Sequence, residues 1–98
     1  MNESLRDVVA VDRLIHEPAR LLIVATLSAL EEADFLFLLN ATRLTKGNLS
    51  SHLARLEKVG YVRIEKTFVG KITRTLCQLT EEGQEALEAY RKQMKAVL

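Results

Sequence analysis

The chain has 98 residues and a mass of 11.1 kDa, which is enough for one hydrophobic core and too little for two, so most large enzyme folds are excluded. Hydrophobic residues make up 48% and charged residues 28%, the balance of a folding globular chain rather than a disordered or fibrous one. The net charge of +1 averages three unlike segments. Residues 1–42 hold three bases against seven acids (net −4), residues 43–76 eight against two (net +6), and residues 77–98 three against four (net −1). A basic block in an otherwise acidic chain points to a polyanionic partner; charge alone leaves open a surface that merely happens to be basic.

The longest uncharged apolar run, Leu21 to Leu30, is half of the roughly 20 residues that cross a bilayer, so no membrane span is expected. The first residues carry acids where a signal peptide carries bases, and no apolar region with a cleavage site follows, so a cytoplasmic location is expected. Cys77 is the only cysteine, which excludes an intramolecular disulfide and suits a reducing compartment. His16, His52 and Cys77 match no zinc spacing, and neither a metal nor another cofactor is expected.

Taken in chain order, Leu5 to Ile15 reads as a possible short opening helix. Pro18 then marks a first helical turn, where its missing N–H costs nothing, and the spacing predicts a helix from about Glu17 to Ala29. Leu21, Leu22, Ala25, Ser28 and Ala29 form one face, but Ile23, Val24, Leu27 and Leu30 make the rest apolar too. A helix apolar on nearly every side must be covered on nearly every side, by a central position in the fold or by a second subunit.

Asp34 can cap a short helix from Phe35 to about Ala41, and Thr45 a second that runs over about 45–59. In the latter Leu49, Leu53 and Leu56 recur at i, i+4 and i+7 before Gly60 supplies a left-handed stop. The gap at about Thr42 to Leu44 is a turn of the helix-turn-helix kind. After Gly60 the period becomes two, and a hairpin over about 61–79 is expected, turning at Gly70-Lys71 with a basic tip. Thr80 caps a last helix over about 81–97, with acids at its start and Arg91, Lys92 and Lys95 towards its end, as the helix dipole favours. Ala86, Leu87, Tyr90, Met94 and Val97 form its apolar stripe.

The whole chain, residues 1–98, thus reads as a single winged helix-turn-helix domain: mainly α, with a three-helix core, a two-stranded β-hairpin wing and a C-terminal helix. A B-DNA major groove about 12 Å wide admits one α-helix, so a helix braced on its leucine side can offer the other side to base edges. At 100° per residue Gly47, Ser51 and Lys58 point away from Leu49, with Asn48 and Arg55 on the flank. Lys46 and Lys58 lie where phosphates would pass. Gly47 costs roughly 1 kcal/mol of helix propensity against alanine; it permits close backbone approach, or is a tolerated imperfection.

Leu44-Thr-Lys-Gly-Asn-Leu-Ser-Ser-His-Leu-Ala-Arg-Leu-Glu-Lys-Val-Gly-Tyr-Val62, with Glu65 to Lys71, Arg74-Thr75 and Leu79-Thr-Glu-Glu-Gly83, resembles the small winged-helix transcriptional regulators related to the MarR and ArsR groups. Asp12 to Ile23 resembles their opening helix. The resemblance covers about residues 12–90. It implies a homodimer on double-stranded operator DNA, with the 45–59 helix in the major groove and the wing on the backbone or minor groove. Carried onto this chain, it assigns Lys46, Asn48, Ser50, Ser51, His52 and Arg55 to the helix contacts, and Lys66, Lys71, Thr73 and Arg74 to the wing. The lone Cys77 departs from the cysteine pair of metal-sensing ArsR-like members. The length leaves little material for a dedicated effector cavity, and whether an effector ligand exists stays open.

His52 lies about 60° from the leucine centre and suits either DNA contact or partial packing. His16 reads as a capping or packing residue, Cys77 as a small buried hydrophobe, Arg63 as a solvated strand residue, and Tyr90 and Met94 as core or dimer interface. No Gly-rich phosphate loop, nucleophile elbow or Ser-His-acid arrangement suggests an enzyme. The competing expectation is a winged helix used for protein contacts within a larger transcription or chromosome-associated assembly, for which so many exposed bases have no purpose. Dimerisation through the first and last helices would cover their surplus apolar surface and set two reading helices about 34 Å apart, which suits an inverted repeat.

Overall fold

The computed structural model describes residues 12–97, so the opening helix expected at Leu5 to Ile15 lies mostly outside the described residues. Its described end, from Asp12 to Glu17, forms turns rather than helix. Asp12 organises them: its Oδ1 accepts from the backbone N–H of Leu14 at 2.9 Å, and its carbonyl accepts from His16 N–H at 2.8 Å.

Helix α1 (Pro18–Leu30) starts one residue later than expected, because Glu17 is its cap. The Glu17 carboxylate accepts from the N–H groups of Ala19 (3.1 Å) and Arg20 (2.8 Å), satisfying donors that have no partner inside a helix. Glu31 ends α1 at φ 68, a positive value that no glycine or asparagine announces.

The wing is more than the expected pair of strands. A third strand, β1 (Glu32–Asp34), adds to the hairpin of β2 (Val62–Val69) and β3 (Ile72–Leu79), giving an antiparallel sheet in the order β1-β3-β2. Ala33 sits opposite Cys77, and both are buried. Glu-Ala-Asp has poor strand propensity; the open edge of β3 decides its conformation. On the outer face Gln78 links all three strands, donating to Glu32 Oε2 at 3.0 Å and accepting from Arg63 at 2.6 Å.

Helix α2 (Phe35–Thr42) is capped by Asp34, whose Oδ1 accepts from Phe37 N–H at 2.7 Å. Arg43 closes it in the left-handed region at φ 58, and the chain turns into α3 (Lys46–Lys58). Thr45 caps α3 by accepting from Asn48 N–H at 3.1 Å. Gly60, at φ 84, turns the chain into β2.

Helix α4 (Glu81–Val97) begins where three segments meet. The Thr80 hydroxyl accepts from Gly83 N–H at 3.0 Å and donates to the carbonyl of Gly60 at 2.5 Å, and Thr80 N–H donates to the Tyr61 carbonyl at 3.0 Å. A Cβ on Gly83 would collide with that Tyr61 oxygen and crowd Leu79, so a helical glycine is required here by the close approach of another backbone.

Ile23, Val24 and Leu27 from α1, Leu38 from α2, Leu49, Leu53 and Leu56 from α3, Val62 and Cys77 from the sheet and Leu87 from α4 make one core. Burial pushes the Cys77 thiol up to about 11, which makes it a small hydrophobe rather than a nucleophile. A smaller cluster joins Ile15 to Tyr90, whose hydroxyl lies 2.9 Å from His16 Nδ1. No described helix is long and apolar enough to cross a membrane.

Candidate nucleic-acid interface

Three buried leucines seat α3 against the core, with Leu49 and Leu56 wholly buried and Leu53 2% exposed. That fixes the helix rotation, and the opposite side faces solvent: Lys46, Gly47, Asn48, Ser50, Ser51, Arg55 and Lys58 are all exposed. A Cβ on Gly47 would meet nothing within 4 Å, so no contact inside the chain requires that glycine. Its position at the open start of α3 leaves the backbone N–H groups approachable by an anion.

His52 differs from its neighbours. Its side chain is only 22% exposed, and its Nδ1 lies 3.1 Å from Arg20 Nη1 and 3.8 Å from a Glu17 carboxylate oxygen. Arginine has no acceptor, so in this contact the guanidinium donates and Nδ1 accepts. Arg20 is itself buried at 7% exposure and donates from Nε to the Leu14 carbonyl at 2.5 Å. Burial pushes the Glu17 carboxyl up, but the N–H groups of Arg20 and Ala19 and the nearby His52 and Arg20 outweigh it and hold the carboxyl below its ordinary value. This network ties α3 to the start of α1. The helix expected from about Glu17 to Ala29 contains Glu17 and Arg20, but the sequence did not link them to His52, because the contact spans 32 residues.

The wing supplies the second part of the surface. Lys66, Lys71 and Thr73 are exposed, and Lys66 shares with Ser50 and Ala54 the rim of a groove of about 330 Å³ floored by Leu53 and Ile64. Helix α3 and the wing therefore form one continuous surface. Arg74 is exposed too, but its Nη2 donates to Asp34 Oδ2 at 2.6 Å. The Phe37 N–H and the Arg74 guanidinium hold the Asp34 carboxyl below its ordinary range. The expected basic tip is apolar as well, with Phe68, Val69 and Ile72 all exposed.

Behind this surface, the Tyr61 hydroxyl donates to Asp12 Oδ2 at 2.6 Å, and that hydrogen bond, with burial, pushes the phenol up to about 12. Among the described residues no group of three His, Cys, Asp or Glu side chains could hold a metal ion.

A family model described as a winged helix DNA-binding domain matches residues 19–98. An uncharacterized protein of Methanocaldococcus jannaschii is 32% identical over 78 residues, covering 80% of this chain and 85% of that one. The structure of a transcriptional regulator homologue protein from Pyrococcus horikoshii OT3 is similar at a TM-score of 0.88 and 30% identity, over 98% of this chain and 94% of that one. YusO from Bacillus subtilis shares the fold at a TM-score of 0.73 and 21% identity, over 97% of this chain and 64% of its own. With its leucine-seated helix and adjoining wing, the chain belongs to the winged helix DNA-binding domain family.

Proposed function

We propose that this protein is a sequence-specific regulator of transcription that binds double-stranded DNA as a homodimer and represses by occupying an inverted repeat. The observation that carries this reading is the split of α3 into a buried leucine face and an exposed face of Lys46, Gly47, Asn48, Ser50, Ser51, Arg55 and Lys58. In this reading that face enters the major groove. Asn48 has both donor and acceptor and Arg55 a fork of donors to read base edges, and Lys46 and Lys58 meet phosphates. His52 holds the helix from behind. Lys66, Lys71 and Thr73 lie along the backbone or minor groove, with Arg74 shared between Asp34 and the DNA. The description of the Pyrococcus protein as a transcriptional regulator homologue supports the same reading.

Leu22 and Leu30 on α1 are 44% and 46% exposed, and Val97 on α4 is 46% exposed. Pairing of these helices across a two-fold axis removes that apolar surface from water. Two reading helices then stand about 34 Å apart, one turn of DNA.

Selection of bound fragments from a random DNA library tests the reading. Recovery of a palindrome with half-sites one turn apart is expected, and recovery of no enriched sequence overturns the specific reading. If each protomer neutralises about four phosphates, log K falls with log salt at a slope of roughly −7 for the dimer; a flat response removes DNA as the partner.

A further inference from the structure

The far end of the wing carries side chains that a purely electrostatic contact does not explain. Phe68 is 70% exposed, Val69 54% and Ile72 70%. Single exposed apolar residues are ordinary, but three within five positions give the end of this hairpin an apolar surface, and apolar surface so concentrated marks a contact site. The strand register pairs Phe68 with Thr73 and Val69 with Ile72. Alternation therefore sets Phe68 on one side of the ribbon and the Val69–Ile72 pair on the other. Both sides of the last rungs are apolar.

The position of the patch indicates its occupant. Ile64, Lys66 and Phe68 follow one another on the same side of β2, and Ile64 and Lys66 already line the groove shared with Ser50 and Ala54 of α3. Phe68 thus extends the proposed DNA surface outward. Ile72 is five residues from the buried Cys77, so the tip stands roughly 17 Å beyond the core rung. A second copy of the chain is a poor occupant, since tip-to-tip contact would bring Lys66 and Lys71 of two copies together. A polyanion with apolar walls suits both features. The minor groove, about 6 Å wide, has walls of sugar rings beneath rows of phosphates.

We propose that the wing tip is an apolar wedge for the DNA minor groove. Val69 and Ile72 pack on the sugar walls, Phe68 presses against a base step and opens it towards the major groove, and Lys66 and Lys71 hold the flanking phosphates. Side chains of these types are used in this way by minor-groove proteins, which bend DNA by roughly 20–90°. Because a pyrimidine–purine step opens most easily, the wing reads sequence through deformability. The proposal rests on the DNA-binding reading above and adds bending and a second source of specificity to it.

The test uses the full chain and a duplex of about 30 base pairs recovered by the selection, labelled at both ends for energy transfer, with affinity measured by fluorescence anisotropy at several salt concentrations. The intact protein is expected to shorten the end-to-end distance. The double variant Phe68→Ser, Ile72→Ser is expected to lose the bend and about tenfold in affinity at an unchanged salt slope, since no phosphate contact is removed. Lys71→Ala is expected to keep the bend and to make the slope shallower by about 0.9 per protomer. If the double variant melts below the assay temperature, Phe68→Thr, which retains a β-favouring side chain, carries the same expectation. Unchanged affinity and bending overturn the wedge and leave the DNA reading intact. A variant that sediments as a smaller species while binding DNA normally also overturns it, in favour of self-association. Failure of the intact protein to bind any duplex overturns the parent reading instead.

Discussion

Nη1 of Arg20 lies 3.1 Å from Nδ1 of His52, so a buried guanidinium of the first helix holds the inner flank of the helix that presents Asn48, Ser51 and Arg55. Replacing His52 with leucine leaves an arginine N–H without a partner in a water-poor position, and a stability loss of about 1–2 kcal/mol is expected. Asparagine can place an acceptor near the position of Nδ1, so His52→Asn is expected to lose less than half of that. Urea denaturation of both variants checks this. Equal losses would mean that the acceptor contributes nothing.

Gly83 is expected to be among the least replaceable residues. A methyl group there meets the Tyr61 carbonyl and Leu79, and the Thr80 bonds to Gly60 and Tyr61 resist any retreat of α4. Gly83→Ala should cost about 3 kcal/mol, the upper part of the usual range for overpacking, despite the better helix propensity of alanine. A thermal melt equal to or above that of the parent protein would refute the close packing.

Arg55 and Lys71 should fail differently. Arg55→Ala is expected to weaken binding to the selected operator by about 1–3 kcal/mol while leaving random DNA nearly unaffected. Lys71→Ala is expected to weaken both alike. Competition titrations with cognate and random duplexes separate the two effects, and equal losses from both variants would contradict the division between base reading and phosphate contact.

Asp34 has two tasks that one substitution can separate. Asn is as good a helix cap as Asp, so Asp34→Asn keeps the bond from Phe37 N–H while removing the negative charge opposite Arg74. The freed guanidinium is expected to strengthen binding to random DNA and to steepen the salt slope by up to 0.9 per protomer. An unchanged slope would show that Arg74 stays away from phosphate even when released.

Acid and alkali should act through named groups. Glu17 and Asp34 have folded-state pKa values below their ordinary 4.5 and 3.8. Their contribution is therefore present above those values and is lost as pH falls through the lower folded ones. Tyr61 is shifted the other way, from 10.0 to about 12; its contribution is complete below pH 10 and disappears as pH rises towards 12. Stability measured against pH should show both limits, and Tyr61→Phe should flatten the alkaline one. An alkaline limb that persists unchanged in that variant would assign it to another group.

The local pattern of the sequence was sufficient for α1, α2, α3, the β2–β3 hairpin and α4, because apolar spacing, the caps Asp34, Thr45 and Thr80 and the glycines at 60 and 70 all act within a few residues of themselves. It was sufficient as well for the exposed face of α3, since three leucines that must be buried fix the rotation of the helix that carries them. What it left undetermined depends on partners distant in the chain. Glu-Ala-Asp becomes a strand only because β3 offers an open edge opposite Gln78, Cys77 and Leu76. Glu31 and Arg43 take positive φ values that their residue types disfavour, each with its N–H bonded back to the carbonyl of Leu27 or Leu39. Arg74 meets Asp34 across 40 residues and His52 meets Arg20 across 32. A residue's type and its neighbours specify which contacts it can make, but only the packed chain brings a particular carboxylate or imidazole within hydrogen-bonding distance of it, and that proximity decides which cations are tied within the fold and which face the solvent.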